Sequence, residues 1–258
     1  MADRLVFLGT GTGVPDGHRL PTALLLEVDR RAWLVDLGPG VLRAAVRHLG
    51  LTGLRRILLT HFHLDHTADL ATLFFALKNT RRRPRHLEIY GPPGLGRFLE
   101  TLLHPWNLPL EIPGMTLTLH EVPPGTVLET GLLRITVFAT QHTEESQGYR
   151  FQHPTFSLAY TGDTGYDPAL AVALEGVDLL VTEVSYLRPV RGHLSPLEAA
   201  LLARAAGARH LAVVHRYPDQ PESALRAQME AWIPKTLRVW FPKDGEVWPL
   251  RRLRESGV

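Results

Sequence analysis

His61, His63, Asp65 and His66 fall within six residues in the order His-x-His-x-Asp-His, directly after the apolar run Ile57-Leu58-Leu59. Imidazole nitrogens and a carboxylate are the donors that zinc-like divalent ions accept. Packed together without a cation, three imidazoles and a carboxylate would leave crowded polar groups in need of partners. A metal site therefore explains the spacing better than a structural cluster does. A buried strand ending at Leu59 would deliver the four donors to its carboxyl edge, where the chain turns outward.

The second half of the chain repeats the device. The apolar stretch 135–141 ends on His142, 156–161 on Gly162-Asp163, 179–182 on Glu183 and 211–214 on His215. Sites in sheet proteins gather at the carboxyl ends of strands, so these four residues are expected to converge with the first motif on one edge. The donors divide into two sets. His61, His63 and His142 would hold one ion, Asp65, His66 and His215 a second, and Asp163 would bridge them. Two ions about 3.5–4 Å apart activate water between them and stabilise the oxyanion formed when it attacks an electrophile. That chemistry is hydrolysis, with Asp65 counted as both ligand and catalytic group. Zinc is the first choice of metal, and manganese or iron also suits nitrogen and oxygen donors. The chain has no cysteine, which removes thiolate ligands and disulfides.

The elements that must position these groups are legible around them. Residues 5–8 form an apolar strand followed by Gly9-Thr10-Gly11-Thr12-Gly13. With no Lys-Ser/Thr after it, that loop is expected to be a turn under the site more than a phosphate cradle. Residues 23–28 and 32–35 read as a hairpin ending at Asp36, which either orients a ligand histidine or caps the helix predicted over 41–49. Leu70, Leu73, Phe74 and Leu77 have helical spacing within 67–78. That helix would leave the metal motif and carry Arg81, Arg82, Arg83 and Arg85 at its far end, as a phosphate-binding patch or a solvated face. A strand over 87–90, a helix over 95–103 and strands through 115–138 follow. Helices are predicted over 168–174, 196–206 and 221–232, each with proline near its start and Ser195 as a cap for the second. Strands alternating with helices in both halves indicate an α/β layered domain, with two facing sheets and helices outside.

Composition sets the bounds. The chain has 258 residues, 45% of them hydrophobic, with no internal repeat and no composition break, so one domain over 1–258 is expected. A formal net charge of +2 is weak support for nucleic-acid binding. The first apolar stretch is too short for a signal peptide and no later one is long enough to span a membrane, so a cytoplasmic location with no membrane partner is expected.

With the motif and its distant partners in place, the chain resembles the metallo-β-lactamase superfamily, whose signature is His-x-His-x-Asp-His. His142, Asp163 and His215 match its remaining ligand positions, and the resemblance covers nearly the whole chain. Leu8-Gly9-Thr10 to Pro15, Thr182-Glu183-Val184-Ser185 and Gly192-His193-Leu194-Ser195-Pro196 are similar to the ribonuclease Z branch. The resemblance implies a four-layer αβ/βα sandwich with the site at one edge. It also implies a homodimer, and a Glu183–His193 pair that helps the leaving group depart.

Departures accompany the likeness. Leu64 stands where that branch usually has glycine, and Pro39 where it has glutamate. The interval from His142 to Asp163, 21 positions, is too short for the arm with which bacterial members grip tRNA. The leading expectation is a phosphodiesterase acting on a nucleotide or RNA-type phosphodiester, with tRNA 3′ processing as the alternative. A thioesterase or lactonase with the same metals, and a non-catalytic metal-containing binding protein, are the readings from other classes.

Overall fold

The computed structural model describes residues 3–254. In the first half, strands β1 (Arg4–Gly9), β2 (Ala23–Val28) and β3 (Arg31–Val35) form a meander, and helix α1 (Val41–Leu49) crosses over to β4 (Arg56–Leu58). Helices α2 (Leu64–Thr67) and α3 (Asp69–Asn79) lead to β5 (His86–Gly91), and α4 (Leu95–Leu103) to β6 (Thr116–Glu121). The second half runs through the antiparallel strands β7 (Val127–Thr130), β8 (Leu133–Ala139), β9 (Gln147–His153) and β10 (Phe156–Tyr160). It continues as α5 (Leu170–Ala173), β11 (Leu179–Glu183), α6 (Pro196–Ala205), β12 (His210–Val214), α7 (Glu222–Glu230), β13 (Arg238–Trp240) and β14 (Glu246–Pro249).

Two seven-stranded sheets result, in the orders β14-β1-β2-β3-β4-β5-β6 and β13-β12-β11-β10-β9-β8-β7. Both are mixed. The run β3 to β6 is parallel in the first sheet and β10 to β13 in the second. The central strands are apolar at nearly every position because both of their faces are covered. In β1, Leu5 and Phe7 point between the sheets while Val6 and Leu8 point to the helices; in β11, Leu179 and Val181 face inward and Leu180 outward. The inter-sheet core is thus flanked by a core under α1, α3 and α4 and another under α6 and α7. This is the expected αβ/βα sandwich.

Helix boundaries follow local chemistry. Ser195 caps α6 with a reciprocal box in which Glu198 returns to the Ser195 N–H at 2.8 Å. The helix predicted over 67–78 begins earlier, because Leu64–Thr67 already forms a turn inside the metal motif. The helix predicted over 168–174 shortens to the single turn of α5. The interval between His142 and Asp163 is taken up by the β9–β10 hairpin, and no arm projects from it. Among the described residues, no helix is long and apolar enough to cross a membrane.

Candidate metal centre

Since β8 runs parallel to β10 through the intervening antiparallel β9, the carboxyl ends of β8, β10, β11 and β12 share one edge of the second sheet. His142, Asp163, Glu183 and His215 lie there. The parallel strands β3 and β4 bring Asp36 and His61 to the matching edge of the first sheet. The two edges meet closely at Gly162, which in the left-handed region at φ 61° lies so near Thr60 that a Cβ would sit 2.8 Å from the Thr60 Cβ; within the first edge, a Cβ on Gly38 would overlap the Asp65 carbonyl.

Among the described residues six donor groups have their candidate atoms within 4.8 Å of one another, among them His61, His63 and His142; Asp65, His66 and His215; His61, His66 and Asp163; and two that include His193, one with His142 and Asp163 and one with Glu183 and His215. Each imidazole is held by its other nitrogen or by a neighbouring ring. His66 Nδ1 lies 2.8 Å from the Asp36 carboxylate, His142 Nδ1 lies 2.9 Å from the Gly192 carbonyl, His61 Nδ1 lies 3.0 Å from the Thr60 hydroxyl, and His215 Nδ1 lies 2.9 Å from the Ser185 hydroxyl. The Nε2 atoms are thereby left facing the centre, an arrangement that fixes tautomer and ring orientation for a ligand. His63 presents Nδ1, 3.0 Å from His142 Nε2. The Asp163 carboxylate is buried between the sets, with Oδ1 3.5 Å from His66 Nε2 and Oδ2 3.4 Å from His215 Nε2 and 3.8 Å from His142 Nε2.

The donor set fits a cation. His61 Nε2, His66 Nε2 and Asp163 Oδ1 are buried without hydrogen-bond partners, and they converge on one another. Buried polar atoms are normally paired, so three orphans facing a common point mark a place for a positive ion. The local charges are already polarised. Burial alone would raise the Asp163 pKa, but the neighbouring His215 and His66 charges outweigh it and hold the carboxyl well below its usual range. Burial lowers His61, and the charge of His66 beside it adds to that, so its imidazole stays neutral.

Asp36 resolves between its two sequence readings. It accepts the Thr60 N–H at 2.8 Å and the Thr60 hydroxyl at 2.9 Å besides facing His66, from a left-handed backbone at φ 63°. It does not cap α1. The amide of Leu42 in that helix's first turn is bonded instead by Asp69 at 2.9 Å. His215 is likewise held at φ 53°. Left-handed non-glycine residues persist where surroundings over-determine them, and both here sit at the centre.

Glu183 and His193 form a pair beside the seven proposed ligands. His193 Nδ1 lies 3.0 Å from each Glu183 oxygen, and Glu183 is fully buried, accepting the Thr164 N–H at 2.8 Å. Burial would lower the His193 pKa, but the hydrogen bond and charge of Glu183 outweigh it and hold the imidazole above its ordinary value. Ser185 was given no role by sequence reasoning, yet its buried hydroxyl bonds to Glu183 and stands 2.9 Å from His215 Nδ1. Thr60 was missed in the same way. The available signal was a hydroxyl residue next to a donor at a strand end.

The arginine cluster is not brought to the centre. His61 follows the carboxyl end of β4, whereas Arg85 precedes the amino end of the parallel β5, at the opposite edge of the sheet. Helix α3 carries Arg81 and Arg82 away by eleven residues, about 16 Å. Arg83 donates to the Leu77 and Thr80 carbonyls at 2.8 and 2.6 Å, closing the end of that helix. A cleft of about 800 Å³ opens instead on the His142 and His193 side, with Tyr166 and Arg191 in its walls.

Comparison with known proteins agrees with this geometry. The family described as "Beta-lactamase superfamily domain" matches residues 31–216. Ribonuclease BN from Cronobacter sakazakii is 27% identical over 293 aligned positions, which cover 89% of this chain and 95% of that protein. That alignment is longer than the chain itself, so the relative carries inserted segments. Among solved structures, the metallo-beta-lactamase fold protein YhfI from Bacillus subtilis superposes with a TM-score of 0.83 at 24% identity, covering 96% of this chain and 100% of that one. The short form of human tRNase Z does so with a TM-score of 0.76 at 22% identity, covering 96% and 99%. With the sandwich, the edge site and the family match in agreement, the chain belongs to the beta-lactamase superfamily of metallo-hydrolases.

Proposed function

We propose that this protein is a metal-dependent phosphodiesterase that holds two divalent ions, zinc first among them, and acts on a nucleotide or RNA-type phosphodiester. His61, His63 and His142 would hold one ion, Asp65, His66 and His215 the other, with Asp163 shared. When bound, the ions supply Lewis acidity and an activated water. The rest falls to the chain. Asp36, Thr60, Ser185 and the Gly192 carbonyl orient the imidazoles, and the Asp163 carboxylate lies within reach of members of both sets, His142 on one side and His66 and His215 on the other.

The observation that carries the phosphodiester reading is the Glu183–His193 pair, which neither donor set needs. Glu183 raises the His193 pKa and so favours the imidazolium, which would pass a proton from Nε2 to the departing oxygen. A ribose alkoxide is a poor leaving group that needs such a proton, whereas a thiolate leaves without one. The likeness to human tRNase Z favours tRNA 3′ processing as a second reading, against which stands the lack of any segment between β9 and β10 to grip the tRNA body. The test is turnover of a chromogenic phosphodiester and of a thioester by metal-depleted and metal-restored protein. Metal-dependent cleavage of the phosphodiester supports the proposal, and cleavage of the thioester alone overturns it.

A further inference from the structure

Tyr186 and Tyr217 stack on one another beside the centre, with ring centroids 4.8 Å apart and an interplanar angle of 26°. Tyr186 directly follows Ser185 and stands edge-on to His193 at 5.6 Å; Tyr217 lies two residues after His215 and stands edge-on to it at 6.2 Å. Both are half-buried, and neither belongs to any of the three apolar cores, although Val184, two residues before Tyr186, does and Leu187, directly after it, packs against the same core. Their loops are tied together where the Leu187 N–H donates to the Gln220 side chain at 3.3 Å, and the Gln220 N–H turns back to the Tyr217 carbonyl at 3.1 Å. The two rings are thus fixed, partly open to solvent and adjacent to the imidazole assigned to proton transfer.

Rings that fill no core and reach no ladder need another reason for their placement. A π-face held next to a phosphodiester site suits a nucleobase, since every base can stack on it whatever its hydrogen-bonding edge. An alkyl or sugar phosphate offers no flat partner. We infer that Tyr186 and Tyr217 form a stacking platform for the nucleobase of the nucleotide whose phosphate enters the centre, so that the substrate is recognised as a nucleotide without preference for one base. This rests on the phosphodiester reading and adds to it the residues that recognise the base.

The experiment is calorimetric titration of the metal-loaded protein with adenosine 5′-monophosphate and, separately, with inorganic phosphate, comparing the parent with Tyr186→Leu, Tyr217→Leu and the corresponding phenylalanine variants. Both probes present phosphate to the ions, so the ratio of the two affinities reports the nucleoside, and its change in the tyrosine variants isolates the part due to stacking. The parent is expected to favour the nucleotide about 5- to 150-fold, the range that base–aromatic stacking spans. The leucine variants should lose most of that preference and the phenylalanine variants keep it. A parent that binds both probes alike, or leucine variants that retain the full preference, overturns the platform. Binding needs no turnover, so the two readings fail separately. Tyrosine-dependent nucleotide preference without phosphodiester cleavage would sink the reaction and spare the platform, and cleavage without preference would do the reverse.

Discussion

The His66 imidazole meets the Asp36 carboxylate at 2.8 Å, with both side chains fully sealed from solvent. Asp36 faces the centre without belonging to either donor set, and three groups from Thr60 and His66 depend on it. Asp36→Asn should leave the fold in place and weaken the ion held with His66 about 10- to 100-fold, the usual effect of losing such an orienting carboxylate. Competition with a chelator of known affinity measures this, and an unchanged affinity would return Asp36 to a purely structural role.

Elemental analysis of purified protein should find two divalent ions per chain after reconstitution. Asp163→Ala should lower occupancy at both positions, because its carboxylate lies near His142 of one set and near His66 and His215 of the other. A stoichiometry that stays below one would sink the binuclear arrangement.

His193→Ala should keep both ions and slow esters with ribose-like leaving groups by about 10²–10⁴-fold, the worth of general-acid assistance, while slowing nitrophenyl esters far less. Equal losses on both would make His193 structural. The pair also sets a pH dependence. Glu183 raises the His193 pKa, so the acid form persists below that raised value, and cleavage of unactivated esters is lost as pH rises through it. Glu183→Gln removes the raising charge and should move this alkaline loss to lower pH. A pH–rate profile left unmoved would separate Glu183 from the proton.

Arg81, Arg82 and Arg85 lie at the edge of the sheet away from the centre. Neutralising all three should change KM for a dinucleotide and for a small ester by the same factor. A selective, salt-sensitive rise for the dinucleotide would instead show that extended substrates reach that far.

Much of this centre was readable because strands buried on both faces are unbroken apolar runs, and the residue that ends such a run stands out. His142, Asp163, Glu183 and His215 were found in this way. Strand β9 was not anticipated: Gln147, Arg150, Gln152 and His153 dilute its pattern, and only its partners β8 and β10 show why Tyr149 and Phe151 are buried. Strands β13 and β14 were missed for a similar reason, each being a short edge of three or four residues. The arginine cluster was left open between a phosphate patch and a solvated face, because sequence gives the length of α3 but not the direction in which it leaves the motif. Ser185 and Thr60 escaped notice because a hydroxyl declares its partner only in three dimensions.

The division of donors between the sheets has a consequence for the molecule as a whole. Each proposed set draws from both halves of the chain, His61 and His63 with His142 in one, Asp65 and His66 with His215 in the other. Cation binding and the docking of the two halves are then linked equilibria, in which an ion that binds only the assembled form raises the temperature of unfolding in proportion to the logarithm of its free concentration. Metal supply would act as a clasp across the seam, so chelation should lower the melting temperature and expose the linkers between the halves to protease before either sheet unravels.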